Sequence, residues 1–154
     1  MKTHLHKIAL PLARLYWRIF KPKTYGVKVI VQHPHTNEIL VVQHTYGVQK
    51  IWHLPGGGYR PNQESPESAA KREIKEELGP GISNLEALGE YKTSAEGKRD
   101  TVIIFLGKAQ STNIIPSSEI AAYCWITPQT FVNMKHIYKV SKFAMHLLKQ
   151  KEAG

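Results

Sequence analysis

Residues 54–79, LPGGGYRPNQESPESAAKREIKEELG, constrain this chain more than any other stretch. Gly56, Gly57 and Gly58 form a turn-like run ahead of a segment with helix-starting chemistry. Ser65 is a good N-cap, Pro66 suits the first helical position, and Glu67 favours the positive end of a helix dipole. The spacing predicts a helix over residues 66–78. On it Glu73 and Glu77 lie one above the other, with Glu76 beside them. Like charges so placed repel by roughly 0.2–0.5 kcal/mol per pair, which a bound cation would offset. Ala70, Ile74 and Leu78 make the adjoining apolar stripe, while Lys71 and Lys75 point to solvent. The small Ala69, on the acidic face, lets a second backbone segment come close, and the glycine turn is the natural one.

The rest of the chain supplies a sheet and more helix. Residues 25–33 and 38–44 alternate and are rich in Val and Ile, which predicts two strands joined by a turn at 34–37. Residues 51–54 read as a short strand feeding the glycine turn, and 85–93, 101–109 and 119–126 as further strands. A helical turn is expected over 128–134, and an amphipathic helix over 137–150 with Ile137, Val140, Phe143, Ala144 and Leu147 on its apolar side. At the other end, Leu5, Ile8, Leu12, Leu15, Tyr16 and Ile19 recur at near-helical spacing over residues 5–20. Packing of that helix on its own domain is the expectation; a membrane-surface or partner helix is the alternative. No internal repeat or linker divides the 154 residues, so a single domain, 1–154, with a full core is expected.

The formal charge of +9 belongs to the two ends. Residues 1–37 carry seven basic residues and no acidic one, and residues 135–154 carry five basic residues against Glu152. Such surfaces attract phosphates, nucleic acid or anionic lipid, or simply keep a chain soluble. Lys2 and Lys7 ahead of IALPLA resemble the start of a secretory signal, but the apolar stretch is short and Arg14 closes it, so none is expected. No apolar run is long enough to span a bilayer. The single cysteine, Cys124, is expected to be a buried thiol, which points to a reducing, cytoplasmic setting.

Clustered carboxylates are hard oxygen donors suited to Mg²⁺, with Mn²⁺ as substitute, whereas no Cys/His spacing suggests zinc. A Mg²⁺ ion held this way completes its shell with water and substrate phosphates. The glycines do not make a P-loop, because no Gly-Lys-Ser/Thr comes after them.

Together these residues resemble the signature of the Nudix hydrolases: Gly58, then Glu64 after five residues, then Arg72-Glu73-Ile74-Lys75-Glu76-Glu77-Leu78-Gly79. Pro80 departs from it, standing where an apolar residue is usual. The resemblance implies an α/β/α sandwich, with a mixed central sheet flanked by helices. It also implies Mg²⁺-dependent hydrolysis of a nucleoside diphosphate linked to another group. By position, Glu76 and Glu77 would bind metal, Glu73 would bind metal or act as base, and Arg72 would pair with Glu64 and orient the glutamates. A glycine carbonyl, Gly57 in preference to Gly56, would complete the metal shell. Glu119, ahead of the last strand, is the candidate for a further carboxylate. Arg60, Lys98 and Arg99 are candidate substrate contacts, the latter two in a polar loop with Glu96 and Asp100. The partner that the resemblance implies is a small nucleotide-type diphosphate. RNA 5′-end pyrophosphohydrolysis using the basic termini, and a non-hydrolytic nucleotide sensor, are the alternatives. A homodimer and a peripheral membrane contact stay open.

Overall fold

The structure is a computed structural model and describes residues 15–154 apart from 17, 49, 95 and 96. Its centre is a mixed six-stranded sheet in the order β4-β5-β1-β2-β6, with β3 paired to β1 off that path. The strands are β1 (Lys23–Gln32), β2 (Ile39–His44), β3 (Gly56–Gly58), β4 (Ile82–Thr93), β5 (Arg99–Ala109) and β6 (Ile120–Ile126). The helices are α1 (Pro66–Leu78), α2 (Pro128–Val132) and α3 (Lys139–Ala153). β1 and β5 run parallel, and the other pairs are antiparallel.

Period-2 alternation sorts the strand side chains onto two faces. Val27, Val29 and Val31 of β1 and Leu40 and Val42 of β2 pack with Ala69, Ala70, Ile74 and Leu78 of α1. Ile30, Ile39 and Val41 face the other way, onto Phe131 of α2 and Ala144, Met145 and Leu148 of α3. The result is the expected α/β/α sandwich, with a core on each side of the sheet.

α1 spans the residues expected from sequence. Ser65 caps it, its side chain accepting from the Ser68 N–H at 3.2 Å. Gly79, at φ 94°, ends it by donating to the Lys75 carbonyl. Pro80 is buried, so it still serves as an apolar residue at the helix exit.

The glycine run departs from expectation. It is not a turn but the strand β3, and the strand expected at 51–54 is reduced to one bridge, His53 with Val42. The physical cause is a wedge. β1 pairs with β2 only at Gln32 and Ile39, and the opening beyond is filled by residues 53–58. His53 exchanges both backbone hydrogen bonds with Val42, and the Val29 N–H donates to Pro55 O at 2.9 Å.

Three smaller differences accompany it. α3 starts at Lys139, with Tyr138 at the N-cap position but making no side-chain cap bond, and its deepest residues are Ser141, Ala144, Met145 and Leu148, with Ile137, Val140, Phe143 and Leu147 only partly buried. Cys124 is half-buried rather than fully buried, and burial pushes its thiol up. At the amino-terminal end, Leu15, Tyr16 and residues 18–20 are helical, but Leu15, Tyr16, Ile19 and Phe20 are all exposed instead of packed. Residues 5–14 of that expected helix lie outside the described residues.

Gly56 has φ 146°, and a Cβ there would collide with the Val27 carbonyl group, its carbon only 2.9 Å away. Both neighbours are backbone, so nothing flexible can yield. Gly56→Ala is expected to cost about 2–4 kcal/mol, read as a lower urea midpoint with unchanged slope.

Candidate active site and family

The wedge sets a backbone without side chains against the acidic face of α1. The Tyr59 N–H donates to Tyr25 O at 3.0 Å and the Val29 N–H to Pro55 O at 2.9 Å. By the alternation of an antiparallel ladder, Gly57 between them exchanges its backbone bonds with Val27. The polar groups of Gly56 and Gly58 therefore turn outward, to the helix. The Gly56 N–H donates to Glu77 Oε2 at 3.3 Å, and Gly58 O accepts from Arg72 Nη2 at 3.4 Å. A Cβ on Gly57 would stand 2.5 Å from the carboxylate carbon of Glu73.

Arg72 organises the carboxylates. It grips Glu64 with two donors, Nη2 to Oε1 at 2.6 Å and Nε to Oε2 at 3.1 Å. Nη1 donates to both Glu73 Oε1 (2.8 Å) and Glu76 Oε2 (3.2 Å). The hydrogen bond from Arg72 holds the Glu64 carboxyl below its ordinary range, and the same contact pushes the guanidinium further up. Glu73 moves the opposite way: burial raises it, and the Arg72 hydrogen bond only partly offsets this.

Glu77 is the most deeply set of the group, 3% exposed. Beneath it are groups that its sequence motif does not include. His44 Nε2, buried and without a hydrogen-bond partner, lies 3.6 Å from Glu77 Oε1. Lys28 Nζ donates to Leu54 O at 3.0 Å; desolvation pulls its ammonium down, while Glu77 and Glu73 work to keep it charged. A row of rings runs on from His44: Tyr46 stacks on one side at 4.9 Å, His53 meets it edge-on at 5.0 Å, and Tyr138 stacks on His53 at 4.8 Å. Alternation along β2 was the available signal for His44, because it shares a face with Leu40 and Val42 and so looks towards α1.

Glu119 joins the cluster. The loop before β6 is tied to the end of α1 by Ser117 N–H to Glu77 O (2.9 Å) and Ile115 N–H to Leu78 O (2.8 Å). Glu119 with Ser117 and Ser118 thus shares a cleft of about 280 Å³ with Glu73, Glu76 and Glu77. The remaining candidates stand elsewhere. Arg60 lines a cleft of about 530 Å³ with Lys23, Tyr25 and Tyr59. Arg99 lines one of about 380 Å³ with Lys23, Tyr25, Glu90 and Lys92. Arg99 belongs to β5 rather than to a loop, next to Lys98, and Glu96 lies outside the described residues.

The donor set suits a hard divalent cation: carboxylate oxygens in excess over the basic side chains Arg72 and Lys28, with a carbonyl beside them. Among the described residues no three such side chains already converge closely enough to hold an ion. Arg72 Nη1 spans Glu73 and Glu76 instead.

His53 gives this region a pH signature. Burial, Lys28 and His44 lower its pKa to about 4. Between about 6.5 and about 4 the unfolded chain takes up a proton that the folded imidazole refuses, so stability falls as pH falls through that window. We expect a loss of ~1–2 kcal/mol, allowing for solvent screening of a half-exposed ring. Urea unfolding at both ends of the window should show it, and His53→Phe, which keeps a ring on Tyr138, should flatten it.

Comparison with known proteins agrees with this geometry. The NUDIX domain family matches residues 22–147. A nucleoside triphosphatase NudI from Salmonella arizonae is 29% identical over 111 residues, 65% of this chain and 75% of that protein. A MutT-like protein from Streptomyces ambofaciens is 32% identical over 90 residues, 58% of this chain and 56% of that one. Among solved structures, a MutT protein from Methanosarcina mazei Go1 superposes with a TM-score of 0.73 at 21% identity, covering 86% of this chain and 97% of that one. A MutT NUDIX hydrolase from Burkholderia pseudomallei gives 0.70 at 21% identity, over 82% and 98%. With the family match spanning most of its length and Arg72 joining the carboxylates of its signature, this chain belongs to the NUDIX domain family and is a Nudix pyrophosphohydrolase.

Proposed function

We propose that this chain hydrolyses the diphosphate linkage of a nucleoside-triphosphate-type substrate with Mg²⁺, Mn²⁺ substituting. The observation that carries the reading is Arg72 bonded at once to Glu64, Glu73 and Glu76, beside the buried Glu77. The triphosphatase named among the relatives supports the substrate class.

Glu76, Glu77 and Glu119 would hold the ion, leaving Glu73 free to serve as the base. The backbone register favours the Gly56 carbonyl over that of Gly57 as the added donor, because Gly57 is committed to β1. When bound, the ion would polarise a phosphoryl oxygen, acidify a water and neutralise charge on the leaving group. Glu73 is the base: its raised pKa gives it a stronger pull on a water proton than an ordinary glutamate has. The water oxygen forms a bond to phosphorus as its proton passes to a Glu73 oxygen. The phosphorus–oxygen bond of the anhydride then breaks, and its electron pair leaves with the departing phosphate or nucleotide. Arg72 holds Glu73 and Glu76 in place, with Glu64 fixing Arg72 from the far side. The half-buried, unbridged Cys124 supports work in a reducing compartment such as the cytoplasm.

A Mg²⁺-dependent screen over nucleoside triphosphates, nucleotide sugars, dinucleotides and 5′-triphosphorylated RNA tests the substrate class. Glu73→Gln is expected to lower kcat by about 10²–10⁴-fold with little change in KM. Glu77→Gln should also weaken Mn²⁺ binding measured directly by calorimetry, and unchanged affinity would remove Glu77 from the metal shell. Gly57→Ala displaces the flexible end of Glu73 rather than backbone. It should therefore lose turnover while unfolding at nearly the wild-type midpoint.

A further inference from the structure

The exposed helical turn ahead of β1 is the one strong sequence feature that the hydrolase reading leaves without a task. Leu15, Tyr16, Ile19 and Phe20 are 55%, 53%, 64% and 63% exposed. At about 100° per residue the four fill an arc of about 140°, and Arg18 lies about 130° from its centre. The rings of Tyr16 and Phe20 sit against each other at 4.6 Å, so the patch is continuous. Four large apolar side chains gathered on one exposed face differ from scattered surface residues, which need no explanation.

The segment that carries this face holds formal charge of one sign. Arg18, Lys21 and Lys23 are exposed around it, and residues 1–37 contain seven basic residues and no acidic one. The end of the turn is anchored to the sheet: the Arg99 N–H donates to Pro22 O at 3.0 Å and Arg99 Nε to Lys21 O at 3.2 Å. Lys23 pairs with Arg99 in the β1–β5 ladder, so a further basic side chain stands at the same end. Two acidic residues stand at this end: Glu90, engaged by Lys92 at 2.8 Å, and Asp100, next to Arg99 on β5 and level with Thr24.

We infer that this apolar turn and its basic collar form a docking surface for an anionic membrane, with the four side chains entering the acyl boundary and the basic residues meeting lipid headgroups. Two aliphatic side chains in the patch favour lipid over RNA. Leu15 and Ile19 gain from leaving water for hydrocarbon, whereas single-stranded RNA is held on aromatic faces. Binding of this kind needs both components, since neither a short apolar turn nor a few charges holds a protein firmly on a bilayer. The inference is independent of the chemistry at Glu73 and Glu77.

Flotation of the intact chain with vesicles tests it. Equimolar phosphatidylcholine and phosphatidylglycerol should bind the chain at least ~tenfold more strongly than phosphatidylcholine alone, and added salt should weaken that preference. The double variant Ile19→Ser/Phe20→Ser should lose most of the binding, about tenfold or more, with its far-ultraviolet circular dichroism and nucleotide turnover unchanged. Arg18→Glu should lower binding to the anionic vesicles alone. Three results would each overturn the inference: no partition into anionic vesicles, equal partition into both kinds, or wild-type partition of the double variant. Retention on single-stranded RNA without vesicle binding would assign the surface to nucleic acid instead.

Discussion

The site rests on one close approach, that of a strand without side chains to the acidic face of a helix. β1 and β2 part after a single pairing, and residues 53–58 fill the gap between them. Any Cβ on the inner positions of that filling strand would strike Val27 backbone at Gly56 or the Glu73 carboxylate at Gly57. The glycines thus serve two ends. They let a strand enter the opening, and they bring an N–H to Glu77 and a carbonyl to Arg72. Ala69, fully buried on the same helix, keeps the interface thin on the opposite side.

The same contact also explains how the helix tolerates its own charge. Three carboxylates within little more than a turn repel one another, and burial of Glu73 adds to the strain by raising its pKa. Arg72 answers part of this from within the helix, and it can do so only because Glu64 grips its far edge and fixes the plane of the guanidinium. Glu77 is answered from the sheet, by the Gly56 N–H and by Lys28, whose ammonium stays in contact with protein through Leu54 O. The compensation is incomplete. The carboxylates outnumber the two cations, which leaves the cleft beside Glu119 electrostatically ready for a further positive charge.

Sequence carried the elements that local chemistry decides. α1 could be bounded to the residue because its cap, its first-turn proline and its terminal glycine act within a few positions of one another. The sandwich followed from alternation in β1 and β2 and from the apolar stripes of the helices. What stayed hidden depends on contacts between distant segments. A triple glycine has no side chains to alternate, so nothing local marks β3 as a strand, and only its pairing with β1 makes it one. His44 and Lys28 each look like ordinary strand residues until the fold sets them under Glu77. Arg60 and Arg99 could be nominated by charge but not placed, because charge alone says nothing about which cleft a side chain lines.

The distribution of charge along the chain has a structural counterpart. The middle of the sequence is nearly neutral as a whole, yet it holds the carboxylate cleft. The basic surplus lies at the two ends, and Lys23 from it stands beside Arg99 where β1 and β5 begin. An anionic substrate would be repelled by the carboxylates alone, which is why the proposed function sets a cation between them. Basic side chains at the start of the sheet cannot fill that role, because they line other clefts and are screened by solvent over such separations. On the proposed readings the two regions would act on different partners: one would take a small cation in a confined cleft, and the other presents a positive field beside exposed apolar surface. The proposed substrate chemistry and surface attachment are thereby separable, since substitutions in the exposed turn touch none of the hydrogen bonds that hold Glu64, Arg72, Glu73 and Glu77.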